Sequence, residues 1–272
     1  MAKFVGKPNE GFETGWQLVP KGGNRELVLQ SGGGLNVIDV GAHKKIIDLK
    51  ETTKGGLKMQ NRKFIIKGLK AGETVIWAKD SKRTKAQIVV EVKPQRVVKI
   101  AFNYVEDKAG HKTKRTPKTA NDILKNLNAI FLPQANIKFL LISNDRLKIN
   151  KDLGPVIMRD KKTSSKDEFS ILVKERVKAA QINVFFVWEC HKHGSSGETE
   201  GYAEIAISKN DKTNCMVEDS LGSSLEKVLA HEVGHNLGLK DNYINPRLLM
   251  YGKKSKTTGL LLTKSEIKTI NS

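Results

Sequence analysis

A chain of 272 residues with 38% apolar composition can bury one large core or two ordinary ones, which excludes a disordered polypeptide. No apolar run approaches the roughly 20 residues needed to span a bilayer. Residues 1–16 lack the basic flank and apolar core of a secretory leader, so a soluble product is expected, exported without a cleaved signal peptide or else cytoplasmic. The net charge of +19 reads as attraction to acidic partners or, more commonly, as a lysine-rich solvated surface. Its basic residues are scattered, with short clusters only at 111–118, 161–162 and 253–256. No aromatic-interleaved or zinc-finger pattern accompanies them, so no specific nucleic-acid partner is expected.

Residues 1–94 read as short strands at 26–29, 35–40, 44–49, 63–66, 73–78 and 86–92, separated by glycine turns at 32–34, 55–56 and 72. Many short strands at such spacing predict an all-β sandwich. The segment from Phe64 through Gly68, Gly72 and Trp77 to Asp80, followed by the apolar run 86–92, resembles bacterial Ig-like domains. That resemblance implies an accessory or binding module. Trp77 is expected in the sandwich core, because strand aromatics usually pack inward. A boundary is expected at Lys93-Pro94-Gln95.

After Pro94 strands and helices alternate, which predicts an α/β (α+β) domain over 95–272. A strand is expected at 97–104. Ile123, Leu124, Leu127, Ile130 and Phe131 repeat at helical spacing and predict a helix over 121–132, stopped by Pro133. A strand at 137–142 and a helix at 169–180 follow. The apolar run 182–188 suits a strand buried on both faces. Shorter strands are expected at 202–208 and 215–218, then helices at 224–238 and 263–270. Cys190 and Cys215 can form a disulfide in an oxidising compartment or remain two free thiols, and spacing leaves both open.

The helix at 224–238 carries the chemistry. Ser223 and Glu226 have the spacing of a capping box. Leu225, Val228, Leu229, Val233 and Leu237 form an apolar stripe near helical period. His231 and His235, four apart, share one helix face and can point two imidazoles at one metal ion. Glu232 sits one position round, within reach of a water on that metal. Gly238 can take the backbone angles that end a helix, and the turn would return Asp241 as a third ligand. Three protein ligands with a fourth position open is the plan of a catalytic zinc site. Asn242 is the neighbouring competitor, but a carboxylate is the better zinc ligand.

The run His-Glu-x-x-His-x-x-Gly-x-x-Asp from His231 to Asp241, followed by Leu248-Leu249-Met250-Tyr251-Gly252, resembles the metzincin zinc peptidases. It looks most like the matrix-metalloprotease type in its Met-Tyr turn. It departs in Asp241, where most metzincins have histidine and the snapalysin-like peptidases have aspartate. The resemblance implies one catalytic Zn2+ held by His231, His235 and Asp241, with Glu232 as general base and then general acid. It implies Met250 as an apolar floor beneath the metal and Tyr251 as a pocket-wall residue. Residues 202–208, beginning at Tyr202, are the expected edge strand for an extended peptide. His191 and His193 are a second metal site or, more commonly, surface loop histidines. The implied function is a zinc-dependent endopeptidase, an exported bacterial effector or toxin in its boldest form. It would act as a monomer on a polypeptide and be restrained by an inhibitor or immunity protein. The alternatives are an Ig-like adhesion module on an inactive peptidase fold and a zinc amidase acting on cell-wall peptides.

Overall fold

The computed structural model describes residues 2–30, 39–42, 45–53, 61–80, 83–159, 167–192, 200–220, 224–252 and 259–271. The fold is mixed α/β, mostly sheet, with four α-helices among the described residues. Contacts divide the chain into two units. One comprises Met1–Arg96, Phe131–Ile137 and Leu261–Asn271; the other comprises Val97–Ile130 and Lys138–Leu260. Composition shifts at Pro94, close to the end of the first segment. It gives no sign that residues 131–137 and 261–271 pack with 1–96.

In the first unit the strands are β1 (Lys3–Val5), β2 (Phe12–Glu13), β3 (Trp16–Pro20), β4 (Asn24–Gln30), β5 (Asp39–Ala42), β6 (Ile47–Glu51), β7 (Asn61–Gly68), β8 (Gly72–Lys79) and β9 (Thr84–Lys93). They form one sheet of order β1-β4-β7-β6 and another of order β2-β3-β9-β8-β5. Among the described residues these strands pair antiparallel, except β3 with β9, which are parallel. Phe4, Leu27, Ile47 and Phe64 of the first sheet share one core with Val19, Ile76, Ile88 and Val90 of the second. Trp77 is not in that core. Side chains alternate across a strand, so with Thr74, Ile76 and Ala78 buried, Trp77 falls on the outer face of β8. There it lies over Gly41 of β5, where a Cβ would come within 2.6 Å of its ring. The expected strand at 35–40 lies largely outside the described residues.

In the second unit β10 (Arg96–Asp107) leads to α1 (Ala120–Ala135) and β11 (Ile137–Ile149). Pro133 does not stop α1; it sits in the last turn, where its missing N–H removes one helix bond and the helix runs on to Ala135. The stop is Asn136, in the left-handed region at φ 54°. Next come β12 (Ile157–Arg159), α2 (Glu168–Lys174), β13 (Ile182–Val187), β14 (Cys190–Lys192), β15 (Gly201–Ala203), β16 (Thr213–Glu218), α3 (Leu225–Asn236) and α4 (Lys264–Ile270). The last of these belongs to the first unit. Helix α2 is shorter than its apolar pattern predicts. Buried Asn183 accepts the Val177 N–H at 2.9 Å and so draws the chain out of helix.

The large sheet of this unit has the order β11-β10-β13-β16-β15. Strands β10, β13 and β16 are parallel, and β15 closes one edge antiparallel to β16. Register assigns its two faces. Tyr202, Met216, Phe185 and Val105 share one, with Phe169, Leu172, Cys190 and Ile157 packed on it. Gly201, Ala203, Cys215 and Val217 share the other, under α3. Cys190 and Cys215 are therefore buried on opposite faces and do not form a disulfide with each other. Burial pushes both thiols well above the usual cysteine range.

Candidate metal centre

Helix α3 starts at Ser224, whose side chain makes no capping bond. Ser223, needed for the expected capping box, lies outside the described residues. A complete capping box is found instead at Thr263 and Glu266 of α4. The far end of α3 has a full glycine cap: Gly238, at φ 101°, donates its N–H to the His235 carbonyl at 2.8 Å, and Leu239 donates to Gly234 at 3.0 Å. The chain turns there and brings Asp241 back over the helix.

His231 Nε2 lies 3.2 Å from Asp241 Oδ1, and His235 Nε2 lies 3.5 Å from the same oxygen. The three ligand atoms fall within 4.8 Å of one another. Zinc–ligand bonds near 2.1 Å in a tetrahedron separate ligand atoms by about 3.4 Å, so the spacing fits. The donor chemistry fits as well. His231 Nδ1 donates to the Leu249 carbonyl and His235 Nδ1 to the Leu239 carbonyl, each at 2.9 Å. A carbonyl only accepts, so each Nδ1 carries a proton and Nε2 is the ring nitrogen left for an ion to take.

In the protein alone, the same contacts shift titration. Burial works against a charged imidazole, but the bonds to Asp241 and the charge of Glu232 outweigh it, so both histidines lie above their ordinary value. The two histidines hold the Asp241 carboxyl far below the carboxylate range. Glu232 is buried, and burial pushes its carboxyl up against the opposing pull of both histidines.

Three glycines make room for this arrangement. A Cβ on Gly234 would stand 2.4 Å from Met250 Sδ, so the methionine packs directly on the backbone of α3, and Met250 itself is fully buried. A Cβ on Gly201 would meet Glu232 Cγ at 2.9 Å, and one on Gly252 would meet Asp241 Oδ1 at 2.9 Å. The turn at 248–251 is bonded to the Asp241 loop: Asn242 donates its N–H to the Met250 carbonyl at 2.7 Å, and Gly252 donates to Asn242 at 2.9 Å. Leu249 and Met250 thus position both the ring of His231 and the loop bearing the carboxylate.

The structure brings His231, Glu232, His235, Asp241 and Met250 together. Tyr251 is half-buried and pairs with Asn242 through backbone. Tyr202 corrects the expectation that it serves this pocket. Gly201 faces Glu232, so by alternation Tyr202 points through the sheet to the other side, where its ring meets Phe169 and its hydroxyl accepts from Arg159 at 3.3 Å. The edge strand also ends at Ala203 rather than at 208. Ala206 turns its N–H to the His235 carbonyl at 3.3 Å instead. His193 lies outside the described residues, and His191 sits beside Glu189 at 3.2 Å.

Sequence reasoning missed Asn236. It is buried at the end of α3, and its Nδ2 donates to the carbonyls of Glu204 at 2.9 Å and Asn214 at 3.0 Å. Thr213 Oγ1 donates back to the Asn236 carbonyl at 3.2 Å. This residue fixes the segment after β15 and the adjacent β16 against α3. The available signal was a polar residue on the inward side of an apolar helix stripe.

No protein-family model matches the sequence, and no curated protein matches it. Among solved structures, metalloproteinase-II from Bacteroides fragilis superimposes with a TM-score of 0.38 at 14% identity, covering 94% of this chain and 84% of that one. Domains 4 and 5 of the S-layer protein SbsC superimpose with a TM-score of 0.26 at 14% identity, over 29% of this chain and 48% of that one. Both scores are too low to establish a shared fold.

Proposed function

We propose that this chain is a zinc-dependent endopeptidase whose N-terminal sandwich, Ig-like in its sequence, is an accessory module. One observation carries the reading: two imidazoles, each with Nδ1 tied to a backbone carbonyl, converge through Nε2 on a carboxylate oxygen at 3.2 and 3.5 Å beside a buried glutamate. His231, His235 and Asp241 would hold the ion. When bound, zinc supplies Lewis acidity at the scissile carbonyl and makes water acidic near neutral pH. Glu232 takes the proton from the attacking water and delivers it to the leaving amine; its upward-shifted carboxyl suits both halves of that transfer. Gly201 lets the edge of the sheet approach Glu232, and β15 offers that edge to an extended peptide by strand addition.

The test is cleavage of an unstructured peptide pool by the zinc-loaded protein and by its Glu232→Gln variant, with zinc content measured in both. The expected result is cleavage by the first, a loss of about 10²–10⁴-fold in the second, and equal zinc. Equal cleavage by both would remove Glu232 from the mechanism. Cleavage by neither, with one zinc per chain, would sink the peptidase reading and direct attention to wall amides or to a binding role.

A further inference from the structure

Exposed apolar side chains are concentrated around the metal centre. Of the seven large hydrophobic residues that stand exposed among the described residues, Ile205, Ile207, Tyr243 and Ile244 lie on the two segments bordering the cluster. Ile207 is 99% exposed and Ile244 is 91% exposed. Scattered single hydrophobics are ordinary, but a group of them beside a reactive centre marks a binding surface.

Both segments are anchored. Ile207 and Ser208 donate their N–H groups to Asp211 Oδ2 at 2.7 and 2.8 Å, and Ser208 Oγ donates to Oδ1 at 2.8 Å. These bonds fix the backbone from which Ile207 projects. Upstream, Asn236 holds the Glu204 carbonyl and the His235 carbonyl holds the Ala206 N–H. On the other segment, a single Cβ on Gly252 would lie 2.9 Å both from Tyr243 Cε1 and from Asp241 Oδ1, so the tyrosine ring stands next to the ligand carboxylate.

The sheet edge supplies the direction. β15 is the last strand of its sheet. Gly201 lies against Glu232 and Ala206 bonds to His235, so the segment 201–206 runs along α3 from the carboxylate to the second histidine. A strand added to this edge passes the metal centre and continues onto Ile205 and Ile207.

We infer that Ile205, Ile207, Tyr243 and Ile244 form apolar lips that select an extended polypeptide carrying bulky apolar side chains on both sides of the bond to be cut. The inference rests on the peptidase reading and names its substrate class. A polar wall polymer would gain nothing from these four side chains.

The test uses peptide pairs that differ only in leucine or serine flanking one central bond. Their binding to zinc-loaded Glu232→Gln protein is measured with and without Ile207→Ser and Ile244→Ser, and their cleavage is followed with Glu232 restored. The leucine peptide should bind about tenfold tighter than the serine peptide, and the two substitutions should abolish that difference with zinc content and melting temperature unchanged. In the cleavage assay the same loss should fall in KM rather than kcat. A preference that survives both substitutions, or no preference at the start, overturns the inference. So does a dimer of the unmodified protein that the substitutions dissociate, because the patch is then covered by a second copy. Failure to cleave any peptide while the binding preference holds removes the peptidase reading and leaves the apolar surface standing.

Discussion

The second unit holds two clusters of histidine and aspartate that are alike in composition and opposite in design. In the cluster of His231, His235 and Asp241, backbone carbonyls take the Nδ1–H groups and leave both Nε2 atoms and a carboxylate oxygen facing one point. In the cluster of Asp107, His111 and Asp152, the donors are consumed by the carboxylate itself. Asp107 accepts the N–H of His111 at 2.8 Å, the ring Nδ1–H of His111 at 2.9 Å and the N–H of Leu153 at 3.0 Å. Asp152 is exposed and spends its Oδ1 on the Gly154 N–H at 2.8 Å. The first cluster presents its ligand atoms to one point; the second is a brace that ties the end of β10 to the chain at 153. Counting ligand-type residues within reach does not separate the two, whereas following each N–H to its acceptor does.

The largest expected effect tests this comparison directly. His235→Ala should abolish zinc binding and any hydrolysis, whereas His111→Ala should leave one zinc per chain, read by elemental analysis after dialysis. Two zinc ions in the unmodified protein, or a zinc lost with His111, would break the distinction.

Gly234→Ala comes next. Alanine is the better helix former by about 1 kcal/mol, but its Cβ would stand 2.4 Å from Met250 Sδ. Overpacking of that kind costs about 1–3 kcal/mol, so the variant should melt lower despite the propensity gain. A higher melting temperature would mean that Met250 does not seat on the helix.

Asn236→Ala should cost about 1–3 kcal/mol, because the Glu204 carbonyl loses this donor and the buried Asn214 carbonyl keeps only the Glu204 N–H. Zinc should stay bound while peptide KM rises, since the sheet edge and not the ligand set is released. Loss of zinc with unchanged KM in the remaining metal-loaded fraction would place Asn236 in the wrong role.

The smallest effect is the brace's response to acid. Burial pushes Asp107 up, but the Leu153 N–H and the bonds from His111 outweigh it and leave its pKa below the ordinary value. Its folded value is thus below its unfolded value of about 3.9. The stabilisation is present above about pH 4 and is lost as pH falls through the folded value. Urea midpoints should fall on acidification in this window, and Asp107→Asn should start lower near neutrality and fall less. Equal slopes in both proteins would show that the brace carries no charge-dependent stability.

Much of the candidate metal centre was legible because its candidate ligands are local in sequence. Helical spacing of His231 and His235 and the glycine stop at Gly238 are properties of a few consecutive turns, and short-range geometry translates them directly. Tyr202 was misplaced because period-two alternation gives two faces but not which one meets the helix; Gly201, which must accommodate Glu232, decides it. Trp77 was misplaced for the same reason, with Ile76 and Ala78 taking the core side. Pro133 was overread as a stop, although a proline in a last turn removes a single bond.

The sequence by itself determined the helix, the chain order of the candidate ligands His231, His235 and Asp241, the general-base candidate and the alternation of elements after Pro94, all of which follow from spacing along one backbone. Only the tertiary structure decided that Leu249 and Leu239 fix the histidine tautomers, that Asn236 holds the sheet edge, that Cys190 and Cys215 lie on opposite faces, and that apolar side chains gather beside Asp241. Those features are contacts between segments distant in sequence or between opposite sheet faces. Local periodicity carries no record of them, because a hydrogen bond to a carbonyl elsewhere in the chain places no demand on that residue's side chain.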